Sequence, residues 1–296
     1  MEIYQLRSFI AVARTGHLTR AAEQLHLTQS AVSKQLKALE DELGVPLFDR
    51  STSGMTLTSV GKRLMPLAKR AVDTVTELAS LARSMQGHVT GKLKLGTIID
   101  PESLRLGELL SEMQQHYPEV EIVLEHGISG SVLHRVKAGE LDACFYLGTV
   151  DDPDLTVIQL SIESYVVAAP QAWKDRVTGS TWAELATMPW IGTPRGSSQT
   201  ALIEKAMKHQ GLSRRIVVEA DQEASMIGLI HAGVGLCLIR ERLALEIEPT
   251  TKIVLWTGDK LPCPLSLIVR NEGVSRPLTA VLVETTFSVW PSAVYQ

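Results

Sequence analysis

Residues 18–50, LTRAAEQLHLTQSAVSKQLKALEDELGVPLFDR, constrain this chain more than any other stretch. A short amphipathic segment puts Ala21, Ala22 and Leu25 on one face. His26 and Leu27 follow at a turn, and then Thr28, whose hydroxyl suits it to cap a helix by accepting an orphaned backbone N–H. From there Val32, Leu36, Leu39 and Leu43 recur at steps of four, three and four, the period of a buried helix stripe. The other face carries Gln29, Ser30, Ser33, Lys34 and Lys37, with no acidic residue before Glu40. Two helices joined by a tight turn, the second leading with hydrogen-bond donors, are the arrangement of a helix-turn-helix, whose second helix enters the major groove of DNA. A solvated amphipathic helix pair is the plain alternative, and the basic, donor-rich first turns weigh against it.

Charge distribution points the same way. The net charge is −4, yet residues 1–90 hold 11 Lys and Arg against 8 Asp and Glu, while the remainder holds 18 against 25. The basic end coincides with the helix pair, as a DNA footprint requires. At 296 residues, 45% hydrophobic and 21% charged, the chain suits two or three globular domains. Cys144, Cys237 and Cys263 are far apart and form no CxxC, so neither a metal site nor a disulfide framework is expected, and a reducing compartment fits. The opening MEIYQLRSF does not read as a signal peptide. The most apolar stretch, residues 226–239, is too short to span a bilayer. The expected location is the cytoplasm, without membrane attachment.

Flanking segments complete the first domain. Residues 3–14 read as a supporting helix with Leu6, Phe9, Ile10 and Ala13 inward. Residues 51–55, short and polar around Gly54, read as a hairpin loop, the wing of a winged helix-turn-helix, with Arg50 and Thr52 placed to meet the DNA backbone or minor groove. Thr58 caps a long helix to about residue 86. Along it Leu64, Ala68, Ala71, Val75, Leu78, Ala82 and Met85 alternate steps of four and three, a heptad seam that pairs with a second helix. Pro66 lies inside this helix, where it removes one hydrogen bond. A Gly-containing hinge follows at 88–91. From Lys92 the period changes to strands alternating with helices, a βαβαβ unit and then a second one, which argues for parallel α/β sheets.

The residues Leu6, Phe9, Ala21, Ala22, Leu25, Gln29, Ser30, Ala31, Val32, Ser33, Leu36, Leu39, Glu40, Leu43, Gly44, Leu47, Phe48, Arg50, Leu57, Thr58 and Gly61 stand, nearly position by position, as in the DNA-binding domain of LysR-type transcriptional regulators. The chain resembles that family. One departure is Ser53, where the family usually carries an Arg, and it implies a weaker grip by the wing. The resemblance implies a winged helix-turn-helix over 1–60 and a dimerising linker helix over 61–87. It further implies a two-lobed effector domain over 92–296, built like a periplasmic solute-binding protein. Lobe I would hold about 92–161 and 266–296, and lobe II about 162–265. The partners implied are double-stranded DNA with inverted-repeat half-sites, a small-molecule effector, a second copy of the chain in a homodimer or homotetramer, and RNA polymerase. No cofactor is implied. DNA contacts would fall to Thr28, Gln29, Ser30, Ser33, Lys34, Lys37, Arg50 and Thr52.

Open α/β sheets bind ligands beyond the carboxyl ends of strands, at helix N-termini. Three loops meet that rule, at 97–103, 127–131 and 192–200, each mixing hydroxyls with free backbone N–H groups. By the resemblance, Ile98, Asp100, Ser129, Tyr146, Thr193, Ser197 and Ser198 would line the cleft. For any one Ser or Thr, simple helix capping is an equal reading. Asp100 and Arg195 have opposite charges on facing loops, so they would hold a zwitterion or pair with each other. Enzyme signatures fail: residues 127–131 lack the last glycine of GxSxG, Gly233-Val234-Gly235 lacks a third glycine, and there is no phosphate-binding GxxxxGK[ST] and no HExxH. The rival readings are a solute-binding protein, which would ignore DNA, a redox-responsive regulator acting through a cysteine, and an enzyme with an accessory DNA-binding domain.

Overall fold

The structure is a computed structural model that describes residues 1–51, 54–84, 88–98, 101–247 and 252–296. Thr52, Met85 and Asp100 lie outside the described residues. The chain divides into two compact units, Met1–Val89 and Thr90–Gln296.

In the first unit three helices, α1 (Ile3–Thr15), α2 (Leu18–Leu25) and α3 (Gln29–Leu43), surround Phe9, Val12, Ala21, Val32, Leu36 and Leu39, all fully buried. The stripe read from sequence is interrupted at its end. Leu43 is 39% exposed, and Leu47, beyond the helix, fills the core instead. The reason is Gly44, which ends α3 in the left-handed conformation and turns the chain back over the core. A hairpin follows, β1 (Phe48–Ser51) antiparallel to β2 (Gly54–Leu57). Met55 N–H donates to Gly16 O at 2.7 Å, which docks the wing on the turn between α1 and α2.

Helix α4 (Ser59–Ser84) begins at Thr58, whose Oγ1 accepts from Gly61 N–H and donates to Pro46 O, both at 2.9 Å. A Cβ at Gly61 would collide with the Leu47 carbonyl oxygen, so only glycine allows this close approach. The helix runs unbroken through Pro66. Its apolar residues split into two groups. Leu64, Met65, Ala68, Ala71 and Val72 pack into the core of the same unit. Leu67, Val75 and Leu78 are 57%, 40% and 68% exposed, and Ala82 is exposed as well. The expected heptad seam therefore changes phase: Leu64 and Ala68 belong to the head, and the open stripe runs Leu67, Val75, Leu78, Ala82, with half-buried Ala71 at its border.

The second unit opens with β3 (Gly91–Thr97), α5 (Leu106–His116), β4 (Val120–His126), α6 (Ser129–Lys137) and β5 (Ala143–Leu147), with β4 and β5 both parallel to β3. Then comes β6 (Leu155–Pro170), a strand of 16 residues. The short helices α7 (Lys174–Val177) and α8 (Trp182–Thr187) lead to β7 (Pro189–Gly192), α9 (Ser198–Lys208), β8 (Arg215–Glu219) and α10 (Glu223–His231). The chain closes with β9 (Cys237–Arg240), α11 (Glu241–Ile247), β10 (Ile253–Leu255), β11 (Leu261–Arg270), α12 (Asn271–Val274), α13 (Pro277–Val289) and β12 (Val294–Tyr295).

The sheets are not all parallel, which corrects the sequence expectation. The main sheet runs β10-β6-β11-β5-β3-β4, with β9 and β12 also on β6, and every partner of β6 is antiparallel to it. Strands β7 and β8 form a separate parallel pair. The cause is that β6 and β11 each pass from one lobe into the other, side by side in opposite directions, from Leu155↔Arg270 to Tyr165↔Leu261. Within these two long strands the sequence pattern itself reads as strand only at 165–169 and 265–269. Ser161, Glu163 and Ser164 break the apolar pattern of β6, and Pro262 and Pro264 break that of β11. The β6–β11 register slips between Leu265 and Ser266, opposite Ser161 and Gln159, so Leu160 is the extra residue of a bulge. Among the described residues no helix is long and apolar enough to cross a membrane.

Candidate functional site

Two regions carry chemistry. The first is the outer face of α3. Thr28 caps it, its Oγ1 accepting from Ala31 N–H at 3.2 Å and lying 3.1 Å from Ser30 Oγ. Thr28, Gln29, Ser30, Lys34, Lys37 and Arg50 are exposed, and Ser33 is half-buried. Gln35 faces inward, where its Oε1 accepts from Ser8 Oγ at 2.5 Å. Glu40, the first acidic residue of the helix, is also engaged: Oε1 accepts from Leu47 N–H at 2.7 Å and from Phe48 N–H at 3.3 Å. Its charge is thereby spent on the backbone that leads into the wing, away from the row of donors. Sequence alone marked Glu40 only as a position shared with a family; its fixed distance from the strand that follows was the unused signal. His26, which closes the turn before Thr28, holds the left-handed conformation at φ 53°.

The second region lies between the lobes of the second unit. The N-terminus of α6 meets the loop before α9, where Gly130 N–H donates to Gly196 O at 2.9 Å. A Cβ on Gly130 would stand 2.8 Å from that oxygen, and Gly196 has φ +88°, so glycine is required on both sides of this contact. Beside it lies a cavity of 40 Å³ lined by Ile98, Ser129, Tyr165, Ser197, Ser198, Gln199, Asp221, Glu223 and Met226, among others. Ser129, Ser197 and Ser198 are buried there; their hydroxyls bond no protein group among the described residues, and none of the three oxygens is sealed from water. Burial pushes the Tyr165 phenol well above its usual range, so it stays protonated and able to donate. The cavity shares Ile98, Asp221 and Glu223 with a pocket of 360 Å³ that reaches His126, Ile227, Arg240 and Leu243.

Arg240 is 1% exposed and fully committed. Its Nε and Nη2 donate to the two Glu223 oxygens at 2.8 and 2.6 Å, a fork-to-fork pair, and Nη1 donates to Ser103 Oγ in the other lobe. Arg242 Nη2 donates to the same Ser103 oxygen at 2.6 Å. Ser103 thus receives two guanidinium groups from across the cleft.

The residues expected to line a cleft separate into three groups. Ile98, Ser129, Ser197 and Ser198 meet in the small cavity. Tyr146 and Arg195 instead line a pocket of 630 Å³, together with Ser197, Ser198, Glu204 and Lys205. Thr193 is buried, and its hydroxyl lies 2.8 Å from that of Thr200, which also bonds the Thr193 carbonyl, so it fixes the start of α9 and lines none of the three cavities. Asp100 lies outside the described residues. Sequence reasoning missed Tyr165, Asp221, Glu223 and Arg240. Asp221 and Glu223 follow the carboxyl end of β8 and open α10, so the strand-end rule applied to three other loops would have found them.

All three cysteines are free and buried, and burial pushes each thiol up to about 12. Thiols held protonated in apolar surroundings lack the microenvironment of a redox sensor.

A winged head with an outward donor row, joined to a two-lobed unit with a polar cavity between its lobes, defines a ligand-responsive DNA-binding regulator. The profile "Bacterial regulatory helix-turn-helix protein, lysR family" matches residues 3–62, and "LysR substrate binding domain" matches residues 86–289. The HTH-type transcriptional regulator IlvR of Caulobacter vibrioides is 33% identical over 247 residues, 80% of this chain and 82% of that protein. The HTH-type transcriptional activator CmpR of a Synechocystis strain is 29% identical over 247 residues, 82% and 81% of the two chains. Full-length CbnR, solved in complex with its target DNA, superposes with a TM-score of 0.66 at 25% identity, covering 97% of this chain and 99% of that one. The chain belongs to the LysR family of transcription regulators. It is a DNA-binding regulator with an effector-binding domain, and not an enzyme.

Proposed function

We propose that α3 reads an operator through Thr28, Gln29, Ser30, Ser33, Lys34 and Lys37, with Arg50 and Thr52 of the wing on the flanking backbone. Residues 1–60 form the reading head, 61–87 the dimerising linker and 88–91 the hinge. Residues 92–296 take a small effector between two lobes whose boundary follows the bulge at Leu160. Two heads joined along the open stripe of α4 face two inverted half-sites in the cytoplasm. Effector binding favours one arrangement of the lobes and so shifts the relation between heads, which requires different affinities for the ligand in the two arrangements.

The observation that carries the DNA reading is the donor row itself: Gln29, Ser30, Lys34 and Lys37 are exposed, and Glu40 is turned away to bond the backbone. The test is operator binding at several salt concentrations by wild-type, Lys34→Ala and Lys37→Ala protein. Each variant is expected to weaken binding, and a lysine on a phosphate should reduce the log–log salt slope by about one. Equal binding by all three proteins, or a flat slope, would remove α3 from the interface.

A further inference from the structure

The cavity between the lobes has a chemistry that selects among effectors. Its closed end is made of donors. The helices α6 and α9 both begin there, and helix N-termini favour negative charge. Ser129 is 4% exposed, Ser197 and Ser198 are 9% exposed, and their hydroxyls are unpartnered among the described residues. The three hydroxyl oxygens are open to water rather than to protein partners, so on one cavity they can turn together to bond the oxygens of a ligand. At 40 Å³ this end admits a group little larger than a water molecule or two, the size of a carboxylate.

The open end is acidic. Asp221 and Glu223 form walls common to the small cavity and to the adjoining pocket of 360 Å³. Glu223 is neutralised by its two bonds to Arg240. Asp221 is exposed and makes no hydrogen bond or ion pair among the described residues. Two carboxylates stand against one guanidinium in the described walls, which also hold His126, and that balance disfavours a plain anion. Arg240, bound to Glu223 and Ser103, leaves that excess in place. A ligand that offers an oxyanion to the hydroxyls is therefore favoured when it also brings positive charge to Asp221.

We propose that the effector is amphoteric, a small molecule of α-amino-acid type whose carboxylate bonds Ser129, Ser197 and Ser198 and whose ammonium group faces Asp221, with its side chain in the pocket beside Ile227 and Leu243. This inference rests on the reading of the interlobe cavity as the effector site, and it adds the ligand class.

The test is a thermal-shift screen of the full chain against the proteinogenic L-amino acids, each matched with its des-amino acid and its decarboxylated amine, followed by titration calorimetry. One or more amino acids should raise the melting midpoint while both matched analogues fail at the same concentration. Asp221→Asn should weaken binding of that amino acid by about tenfold or more, as loss of a charged hydrogen bond implies. Ser198→Ala should weaken it as well, and the unliganded midpoint of each variant checks that it folds. If no amino acid shifts the wild-type protein, the class is wrong. If carboxylates without an amine bind as tightly, or Asp221→Asn binds the amino acid unchanged, the class is also wrong. In those last cases a loss of binding in Ser198→Ala would leave the cavity standing as the site, whereas no effect of Ser198→Ala would move the ligand elsewhere and remove both readings.

Discussion

The phase of the open stripe on α4 yields a quantitative prediction about assembly. Complete burial of a leucine side chain stabilises by about 1.5–3 kcal/mol. Leu67 is 57% exposed and Leu78 68% exposed, so pairing along this stripe would bury the remaining surface for about 1–2 kcal/mol at each side chain. Truncation to alanine removes most of that from both copies, about 2–3 kcal/mol per dimer, a weakening of about 30- to 150-fold. Leu64 faces the other way, into the core of its own head. Leu64→Ala should lower the stability of the head by about 1–3 kcal/mol and leave the dimer constant nearly unchanged. Sedimentation equilibrium of residues 1–89, a compact unit with its own core, separates the two effects, with urea denaturation as the stability readout. If Leu67→Ala and Leu78→Ala leave association unaltered while Leu64→Ala weakens it, the helices pair along Leu64 and Ala68 and the open stripe is not the seam.

Three further outcomes are expected. Glu40→Ala should destabilise the head by about 1.5–3 kcal/mol, because it strands the Leu47 and Phe48 N–H groups, while Glu40→Gln keeps an acceptor and should lose less; equal denaturation midpoints for all three proteins would refute the role. Asp142, half-buried with Oδ2 accepting from Lys94 N–H, has its pKa raised above 3.8, first by burial. A carboxyl raised in the folded state binds its proton more tightly there, so the stability it contributes at low pH is lost as pH rises from the ordinary Asp value through the folded one. Asp142→Asn should thus be more stable than wild type at neutral pH, by a margin that shrinks on acidification; a margin that grows in acid would refute the burial account. Finally, thiols held up to about 12 should resist iodoacetamide in the native protein at pH 8 and react fully only after denaturation, a contrast that stoichiometric labelling of the folded chain would overturn.

What the sequence revealed and what it hid divide along physical lines. Local periodicity made α3 readable, because Val32, Leu36 and Leu39 share a face whatever surrounds them. It misplaced Leu43, since a glycine one residue later sends the chain elsewhere and lets Leu47 take the buried place. On α4 two apolar stripes overlap, and steps of three and four cannot say which one meets the head; only packing decides that Leu64 and Ala68 do. Strand directions were beyond reach for the same reason: β6 and β11 carry Ser, Glu and Pro within them, and their partners lie far away in sequence. In the cleft, the hydroxyls at the starts of α6 and α9 were readable from the helix-end rule. Arg240 was not, because it ends an apolar strand and its partners Glu223 and Ser103 come from distant segments.

Gly61 ties the first turns of α4 against Leu47, and Leu64, Met65 and Ala68 continue that attachment. Head and helix therefore behave as a single key, and the angle between the DNA-reading face and the pairing stripe is set by residue count alone. Each residue inserted after Val72 would rotate the part of the stripe beyond it, Val75, Leu78 and Ala82, by about 100° relative to α3. One such insertion should abolish recognition of the native operator without unfolding the head, and an insertion of seven, close to two whole turns, should largely restore the rotational setting while displacing the stripe by about 10 Å along the helix axis.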